Sequence, residues 1–365
     1  MNKIIDIVNY LEELFPPAYQ EKYDNSGFQI SFDVNENCNG ILLTLDVTQD
    51  ALEEAIKDKL NFIISHHPLL YDPLKKIDLN SYTGKLINLS IKNQINIYSL
   101  HTNFDKSING ISSYIAKLLD LKNISILEKE VGHLKKLVTF VPNEYVDKVR
   151  EAICNAGAGV IGNYDFCTYN IEGYGTFRAK DGANPFVGNI GELHKEPEIR
   201  LEVIFPSYLQ QKVINNMLNA HPYEEVAYDI YPLDNKHPLL GFGVYGSLKK
   251  PMEKDLFLKF VKETLKVNVL KCNDSKIEKI QKIAICSGNG SFLLDKIINS
   301  DIDCYISSDF KYHIFVSFPK NKLLIDIGHF NSEIFFVDLI FEILSKKFNN
   351  FVIKKYYTLN PIKYF

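Results

Sequence analysis

The sequence predicts an α/β fold, with mixed sheets flanked by helices, interrupted by an inserted ferredoxin-like α+β domain. Short apolar strands alternate with amphipathic helices near both ends of the chain, which is typical of βαβ units. Between these two parts the order becomes strand, helix, hairpin, helix and strand, which is typical of the ferredoxin-like plan. With 365 residues the chain is also longer than one typical domain.

The first part, residues 1–130, is predicted to begin with a helix and to continue as βαβ units. Apolar residues at 4, 7, 8, 11 and 14 recur at helical spacing, and Pro16 and Pro17 end that helix. Apolar runs predict three strands, at 41–45, 61–65 and 95–100. Three further helices are predicted, after a cap at Thr48 or Asp50, over 84–93 and over 109–119.

The insert, residues 131–235, begins with a strand at 137–141 and a helix capped by Asn143 and ended by Gly157. A hairpin is predicted from residues 164–169 and 175–178, and a strand from 200–205. Ser207 and Gln210 fit a capping box for the next helix, and the last strand covers 226–230. His221, in the turn before that strand, is interpreted as a polar turn residue, with metal binding as the alternative.

The last part, residues 236–365, returns to strands that end in polar turns. A strand at 283–286 leads into a glycine-rich turn at 287–291, which could cradle a phosphate or be a plain tight turn. A strand at 303–307 places Asp309 and His313 near the same edge of the sheet. A strand at 322–325 is followed by a turn at Gly328 and then by a helix.

Histidines follow three of the predicted strands. His66 and His67 come directly after one strand, His101 after another, and His329 opens the helix after the last. His329 and Glu333 are four residues apart and can share one helix face as half of a metal site, although a solvated surface pair has the same spacing. Because active sites of open α/β sheets collect at the carboxyl ends of the strands, we expect these loops to meet in space.

The types of these residues indicate divalent metal ions. Successive side chains of a strand alternate in direction, so the adjacent histidines at 66 and 67 can serve two neighbouring ions. With Asp105, His329 and Glu333 they form a set of three imidazoles and two carboxylates, which suits two borderline divalent ions better than one. His101 is a sixth candidate, either as a ligand or as a group that orients one.

Three segments carry a resemblance to a known family. They are His66-His67-Pro68, His101-Thr102-Asn103-Phe104-Asp105 and Asp326-Ile327-Gly328-His329-Phe330-Asn331-Ser332-Glu333. With further matching pieces at 24–29, 45–48 and 309–313, they resemble the Nif-three-like family over essentially the whole chain. Members of that family are called GTP cyclohydrolase 1 type 2 homologs.

The resemblance implies a discontinuous, two-lobed metal domain made of residues 1–130 and 236–365, with a PII/CutA-like domain inserted at 131–235. It implies two divalent ions per subunit, zinc first and manganese, iron, cobalt or nickel as alternatives, bridged by a carboxylate such as Glu333. The metal ligands that it implies are His66, His67, Asp105, His329 and Glu333. Relatives form closed rings, so we expect a homo-oligomer, in the form of a hexameric ring.

Composition argues against several other classes of protein. The formal charge of -4 does not indicate nucleic-acid binding, which usually needs a basic face. Six cysteines form no CxxC pair, so reduced thiols are expected rather than a disulfide scaffold or a thiolate zinc finger. No apolar run approaches about 18 residues and no signal-like segment opens the chain, so we expect a cytoplasmic protein without a membrane span.

Two hypotheses about function follow. The first is metal-dependent hydrolysis of a small molecule, with hydroxide as the nucleophile and His101 or His313 as proton shuttle, because a pair of divalent ions lowers the pKa of a bridging water. The resemblance implies ring opening in GTP, whereas a phosphoester or a cyclic amide would suit the same centre. The second hypothesis is a non-enzymatic metal-binding regulatory or metal-delivery protein.

Overall fold

The computed structural model describes residues 2–363, which form twelve α-helices and fifteen strands. The helices are α1 Ile4–Leu14, α2 Gln49–Lys57, α3 Tyr82–Lys92, α4 Thr102–Asp105, α5 Ile111–Leu118, α6 Val146–Asn155, α7 Gln210–Ala220, α8 Lys254–Thr264, α9 Leu294–Ile298, α10 Tyr312–Ser317, α11 His329–Glu333 and α12 Phe335–Lys347. The strands are β1 Gly27–Ile30, β2 Ile41–Thr44, β3 Phe62–Ser65, β4 Asn96–Ser99, β5 Lys122–Lys129, β6 Leu134–Pro142, β7 Thr168–Arg178, β8 Leu193–Pro206, β9 Tyr228–Leu233, β10 Gly241–Glu253, β11 Lys271–Cys272, β12 Lys279–Asn289, β13 Cys304–Ser308, β14 Leu323–Asp326 and β15 Ile353–Lys355.

The chain divides into two compact units. Unit 1 combines the chain up to Glu128 with the chain from Leu239 onward, and unit 2 is Lys129–Pro238. Unit 1 contains two mixed sheets flanked by helices, as the sequence predicts, so this part of the predicted fold class is confirmed.

The first sheet of unit 1 has five strands in the order β1-β4-β3-β2-β15. Strands β2, β3, β4 and β15 run parallel, and β1 pairs with β4 in the antiparallel direction. Thr44, Ser65 and Ser99 lie side by side in this register. The residues that follow β2, β3 and β4 therefore leave the sheet at one common edge.

The second sheet of unit 1 has six strands in the order β11-β14-β13-β12-β10-β5. Its middle strands β12, β13 and β14 are parallel, and Ser307 of β13 lies beside Asp326 of β14. Residues just after β12, β13 and β14 are consequently neighbours too.

A common core joins the two sheets of unit 1. One buried cluster contains Ile64 from the first sheet, Ile306 from the second, and Ile7, Ile115 and Ile340 from helices α1, α5 and α12. Strands β2, β3, β4, β13 and β14 are buried at every position. This burial on both faces explains their continuous apolar runs, which are typical of parallel strands covered by helices.

Unit 2 has one antiparallel sheet, in the order β7-β8-β6-β9. Helices α6 and α7 contribute Ile153, Val213 and Met217 to a buried cluster that also contains Leu137 and Leu201 of the sheet. These apolar residues lie on one face of each element, so burying them against each other stabilises the unit.

The predicted hairpin in unit 2 is wrong. Residues 168–178 form a single strand, β7, that pairs with β8 along its whole length. The hairpin prediction leaves Gly173 in the turn and begins the second strand at Gly175, but both glycines lie inside β7. A glycine inside a strand is typical of a place where another group approaches the backbone closely, and Gly175 is such a place, as shown below.

Other differences concern element ends and missed elements. Predicted strands of the first sheet agree with the structure to within one residue at each end. Strand β10 was not predicted, because its residues include three glycines and a proline that weaken the strand pattern. Strands β1, β5, β11 and β15 and helices α4, α8 and α10 were not predicted either. Across residues 2–363, the helices are all too short or too polar to cross a bilayer.

Candidate metal centre

Two sheet edges of unit 1 bring the predicted site residues together. His66 and His67 follow β3, and His101 follows β4 and precedes α4, which ends at Asp105. His329 and Glu333 are the first and last residues of α11, which begins after Gly328 with a φ of 79°. That left-handed conformation favours glycine and allows the chain to turn from β14 directly into the helix. We call His66, His67, His101, Asp105, His329 and Glu333 the histidine cluster.

His66 lies at the bottom of the histidine cluster with no exposed surface. Its Nδ1 lies 2.8 Å from the carbonyl oxygen of Leu100. Its Nε2 has no hydrogen-bond partner in the described chain, and the nearest carboxylate oxygens are those of Asp105 at 3.7 Å and Glu333 at 3.9 Å. A buried polar atom without a partner is costly, so this nitrogen indicates a missing ligand.

His67 is held between two carboxylates. Its Nδ1 lies 2.7 Å from Oδ1 of Asp46, and its Nε2 lies 2.9 Å from Oε2 of Glu333. Burial opposes protonation, but the hydrogen bonds to Asp46 and Glu333 outweigh it and raise the pKa of His67 to about 10. Asp46 reaches His67 because Thr44 and Ser65 are paired, so residues two positions later are neighbours.

His329 repeats the arrangement on the second sheet. Its Nδ1 lies 2.6 Å from Oδ2 of Asp309, and its Nε2 lies 2.9 Å from Oε2 of Glu333. The hydrogen bond to Glu333 outweighs burial and, with Asp309, raises the pKa of His329 to about 9. Ser307 of β13 is paired with Asp326 of β14. Asp309 comes two residues after Ser307 and His329 three residues after Asp326, so strand register again places the carboxylate beside the ring.

Glu333 is the centre of the histidine cluster. It is 3% exposed, and its Oε2 faces both His67 and His329 while its Oε1 faces His66. Burial would raise the pKa of Glu333, but hydrogen bonds from His329 and His67 hold it well below its usual range. One carboxylate thus reaches three imidazoles, which is an arrangement suited to bridging two ions.

Asp105 forms the other acidic side of the histidine cluster. Ser287, at the end of β12, donates a hydrogen bond of 3.0 Å from its hydroxyl to Oδ1 of Asp105. Burial raises the pKa of Asp105, since a charged carboxylate is disfavoured there without a cation. A divalent ion between Asp105, His66 and Glu333 would supply that positive charge.

His101 has an anchor of its own. Its Nδ1 lies 2.7 Å from Oδ1 of Asp24, whose other oxygen accepts a hydrogen bond of 3.0 Å from the backbone N–H of Thr102. Burial opposes ionisation of Asp24, but the bonds from His101 and Thr102 keep its pKa well below the usual range. The ring centroid of His101 is 5.2 Å from that of His66 and 5.6 Å from that of His67.

All four histidines of the cluster share one pattern. Each Nδ1 is bonded to an oxygen, from a carboxylate in three cases and from a carbonyl in the fourth. This leaves Nε2 as the candidate ligand atom, which in His67 and His329 lies against Glu333, and metal-binding histidines are typically oriented in this way. Three sets of side chains have ligand atoms within 4.8 Å of one another: His66, His67 and His101; His67, His329 and Glu333; His66, Asp105 and Glu333. The donor set and the unpartnered Nε2 of His66 therefore fit divalent metal ions.

Gly288 makes room for Glu333. A Cβ atom at this position would lie 2.4 Å from Oε1 of Glu333, and the φ of Gly288 is 62°. The amide N–H of Gly288 donates to Ser332, and its carbonyl accepts from Ser307 and Ser308. This turn is the glycine-rich segment of the sequence, and here it serves as one wall of the histidine cluster.

A cavity of about 540 Å³ opens onto the histidine cluster. His67, His101, Asp105, His329 and Glu333 line its polar side. Aromatic rings line the rest of it, from Tyr23, Tyr71, Phe242 and Phe292. A small molecule in this cavity would contact the candidate ligands directly.

The structure does not bring His313 to the cluster. His313 lies on α10 with an exposed side chain, and it does not line the cavity. Conversely, sequence reasoning assigned no role to Asp24 and Asp46 and no specific contact to Asp309, although all three orient histidines. His221 is bonded through Nε2 to the carbonyl of Phe140, 3.0 Å away, in agreement with its interpretation as a structural residue.

The comparisons with known proteins agree over nearly the whole chain. A model of the family Duf34/NIF3 (NGG1p interacting factor 3) matches residues 2–360. A Bacillus subtilis (strain 168) protein named GTP cyclohydrolase 1 type 2 homolog is 37% identical over 330 residues, which are 90% of this chain and 88% of that protein. A protein of the same name from Halalkalibacterium halodurans is 35% identical over 329 residues, 88% of this chain and 87% of that protein.

A solved structure supports the fold as well. The crystal structure of a Bacillus cereus protein related to NIF3 superimposes with a TM-score of 0.87 at 35% identity, covering 100% of this chain and 99% of that one.

Proposed function

The chain belongs to the Duf34/NIF3 family, and from this membership and the geometry of the histidine cluster we propose that it is a dinuclear divalent-metal-dependent hydrolase. The observation that carries the proposal is His66, whose fully buried Nε2 has no partner in the described chain and faces the carboxylates of Asp105 and Glu333. Nothing but a cation or a donor in that space satisfies all three groups.

Five residues would hold two ions: His66, His67, Asp105, His329 and Glu333, with Glu333 shared. Imidazole and carboxylate donors suit zinc first, and manganese, iron, cobalt or nickel as alternatives. When bound, such a pair supplies Lewis acidity toward a polarised substrate group and lowers the pKa of a coordinated water. His67 and His329 hydrogen-bond to Glu333 through the same Nε2 atoms that would serve as metal ligands.

His101 is the best candidate for moving a proton. It lines the cavity, and Asp24 fixes the orientation of its ring and keeps a proton on Nδ1. Its Nε2 can then accept a proton from one group in the cavity and donate it to another. His313 has no comparable position, so we assign the role to His101.

The substrate is proposed to be a small molecule with a hydrolysable cyclic amide, nucleotide or phosphoester group. Relatives carry the name GTP cyclohydrolase 1 type 2 homolog, which supports a nucleotide. The cavity volume of about 540 Å³ and the rings of Tyr23, Tyr71 and Phe242 at its wall support a planar, drug-sized substrate.

The test is a metal analysis of protein purified without chelator, followed by a hydrolysis screen of nucleotides, phosphodiesters and cyclic amides. We expect about two divalent ions per chain and a saturable rate. His67→Ala and Glu333→Gln should each remove metal and lower the rate on the order of 100-fold or more, because even outer-shell changes at metal sites cost 10–100-fold.

His194→Ala is the matched control for that test. His194 is also a histidine paired with a carboxylate, Glu196 at 2.7 Å, but it belongs to unit 2. The His194→Ala substitution should leave the metal content and the hydrolysis rate unchanged. Two bound ions without turnover in any class of substrate would favour the metal-delivery or regulatory alternative, which the concentration of candidate ligands in the cavity also supports.

The organisation of the whole protein is part of the proposal. The strand order β7-β8-β6-β9 with two helices on the sheet supports a ferredoxin-like domain of the PII/CutA type inserted into a discontinuous metal domain. Resemblance to the family supports assembly into a hexameric ring, which native mass spectrometry would test. Six free cysteines support a reducing, cytoplasmic location.

A further inference from the structure

Unit 2 contains a second cavity whose chemistry the histidine cluster does not use. Its volume is about 510 Å³, within the range of small-molecule sites. Its wall contains five aromatic rings and the carboxylate of Glu198; the rings belong to Phe140, Tyr174, Phe177, Phe186 and Tyr223. We propose that this aromatic cavity binds a small organic cation, an alkyl-substituted ammonium group.

Glu198 is the polar anchor of the aromatic cavity. It is only 8% exposed, and its Oε1 accepts a hydrogen bond of 2.9 Å from the hydroxyl of Tyr223. Within residues 2–363, Oε2 of Glu198 has neither a hydrogen-bond donor nor a basic side chain as partner. The fully buried side-chain atoms without a partner in the described chain belong to His66, Ser113 and Thr358, so Oε2 of Glu198 keeps contact with the space outside the packed interior. Because Glu198 lines the cavity, a cation bound there would pair with this carboxylate.

The backbone of β7 is shaped around this carboxylate. Gly173 is paired with Glu198 across the sheet, and a Cβ atom at Gly175 would lie 2.2 Å from Oε2 of Glu198. A side chain at 175 would therefore displace the carboxylate. Gly175 thus provides the space that the Glu198 carboxylate occupies beside β7.

The aromatic rings supply the second element of cation recognition. The ring centroid of Tyr223 is 6.1 Å from that of Phe186 and 6.3 Å from that of Phe177, so Tyr223 packs against both rings, and all three line the cavity. Ring faces attract cations through their quadrupoles. One lining ring, that of Tyr174, already makes a cation–π contact, because Nζ of Lys195 lies 3.4 Å from its centroid.

Other ligands fit the aromatic cavity less well. A metal ion needs several oxygen, nitrogen or sulfur ligands, and phenyl rings offer none. An anion would face an excess of acidic groups, since Glu198, Glu224 and Glu225 line the cavity with two basic side chains, Arg178 and Lys180. Both basic side chains are exposed to water, as are Glu224 and Glu225, so the one buried charge in the wall is the carboxylate of Glu198.

The test uses choline and its uncharged isostere 3,3-dimethylbutan-1-ol as probes of the full-length chain. Binding is measured by saturation-transfer NMR titration, with sodium chloride matching the ionic strength. Choline should bind at least about tenfold more tightly than the isostere, because only the cation interacts with the carboxylate and the ring quadrupoles. Glu198→Gln should lower choline affinity at least about tenfold, and Glu172→Gln, an exposed carboxylate on β7, should not change it.

Equal affinity for choline and its isostere, no binding of either, or unchanged affinity in the Glu198→Gln protein would overturn the proposal. Should Glu198→Gln fail to fold, as judged by circular dichroism, Gly175→Ala takes its place. That variant keeps the charge but forces the carboxylate away from its position, so it should also weaken choline binding, and full retention of affinity would overturn the proposal.

Discussion

Unit 1 and unit 2 each enclose a cavity, of about 540 Å³ and about 510 Å³, and each cavity has a buried glutamate in its wall. Glu333 is 3% exposed and Glu198 is 8% exposed. The neighbours of Glu333 are imidazoles anchored on their far side by oxygens, whereas the neighbours of Glu198 are phenyl and phenol rings. Similar buried carboxylates therefore have chemically different surroundings.

The comparison indicates that the side chains around a buried carboxylate determine which kind of cation suits it. Imidazole nitrogens are ligands, so around Glu333 a divalent ion gains several bonds at once. Aromatic faces provide only a diffuse negative potential, so around Glu198 an organic cation is the better partner. Three changes can break or sharpen this contrast: two substitutions should act on unit 1 alone, and pH should act on the two units with opposite sign.

The largest effect is expected from Asp46→Asn. This change removes the charge that orients His67 while preserving the size of the side chain, so zinc affinity should fall about 10–100-fold. A chelator competition titration measures it. Asp72→Asn, an exposed acid on a neighbouring loop, is the control, and choline affinity should be unchanged in both proteins. Unaltered zinc affinity in the Asp46→Asn protein would contradict a role of the Asp46 charge in the metal centre.

A smaller effect is expected from Gly288→Ala. The new Cβ would lie 2.4 Å from Oε1 of Glu333, so the carboxylate must shift, and zinc affinity should fall about tenfold. Gly162→Ala is a matched control in unit 2, because Gly162 has a φ of 60° and no atom within 4 Å of an added Cβ. Both variants carry similar backbone strain, so an equal loss of zinc affinity in the two proteins would contradict the steric explanation.

The smallest effect is expected from pH on the metal-free protein. The pKa of His67 is raised to about 10 and that of His329 to about 9, above the ordinary value for an unfolded chain. Their contribution to stability is therefore fully present below about pH 6.5 and is lost as the pH rises toward 9 and 10. Differential scanning calorimetry between pH 6.5 and 9.5 should show Tm falling by about 3 °C or more.

Unit 2 should respond to pH with the opposite sign. Burial lowers the pKa of His221 and of His237, so the unfolded chain binds protons more tightly there, and stability is lost as the pH falls below about 6.5.

Glu333→Gln should flatten only the alkaline side of the stability profile. A flat alkaline side in the unaltered metal-free protein would contradict the charge network of the histidine cluster.

Much of the histidine cluster could be predicted from the order of residues along the chain. His66, His67, His101 and His329 each follow an apolar strand, and parallel strands place their carboxyl ends together at the edge of each of the two sheets. Glu333 joins His329 through the four-residue helical spacing. Periodicity within one segment was sufficient to predict a residue's position wherever that position depends only on the residue's own strand or helix.

The partners of these histidines could not be predicted in the same way. Asp24 lies 77 positions from His101 along the chain, and Asp46 lies 21 from His67. Whether two such residues meet depends on strand order and register, which periodicity within one segment does not contain. His313 illustrates the converse, because it follows a strand of the correct type but lies on the exposed side of α10.

By itself, the sequence determined the α/β class, the strands that end in histidines and the residue types that suit divalent ions, because these follow from local periodicity and side-chain chemistry. Only the tertiary structure decided which carboxylate anchors which imidazole, and that Gly175 and Gly288 leave space for Glu198 and Glu333. Those relations arise between segments distant in the chain, where the register of neighbouring strands and the close packing of the interior determine which atoms meet.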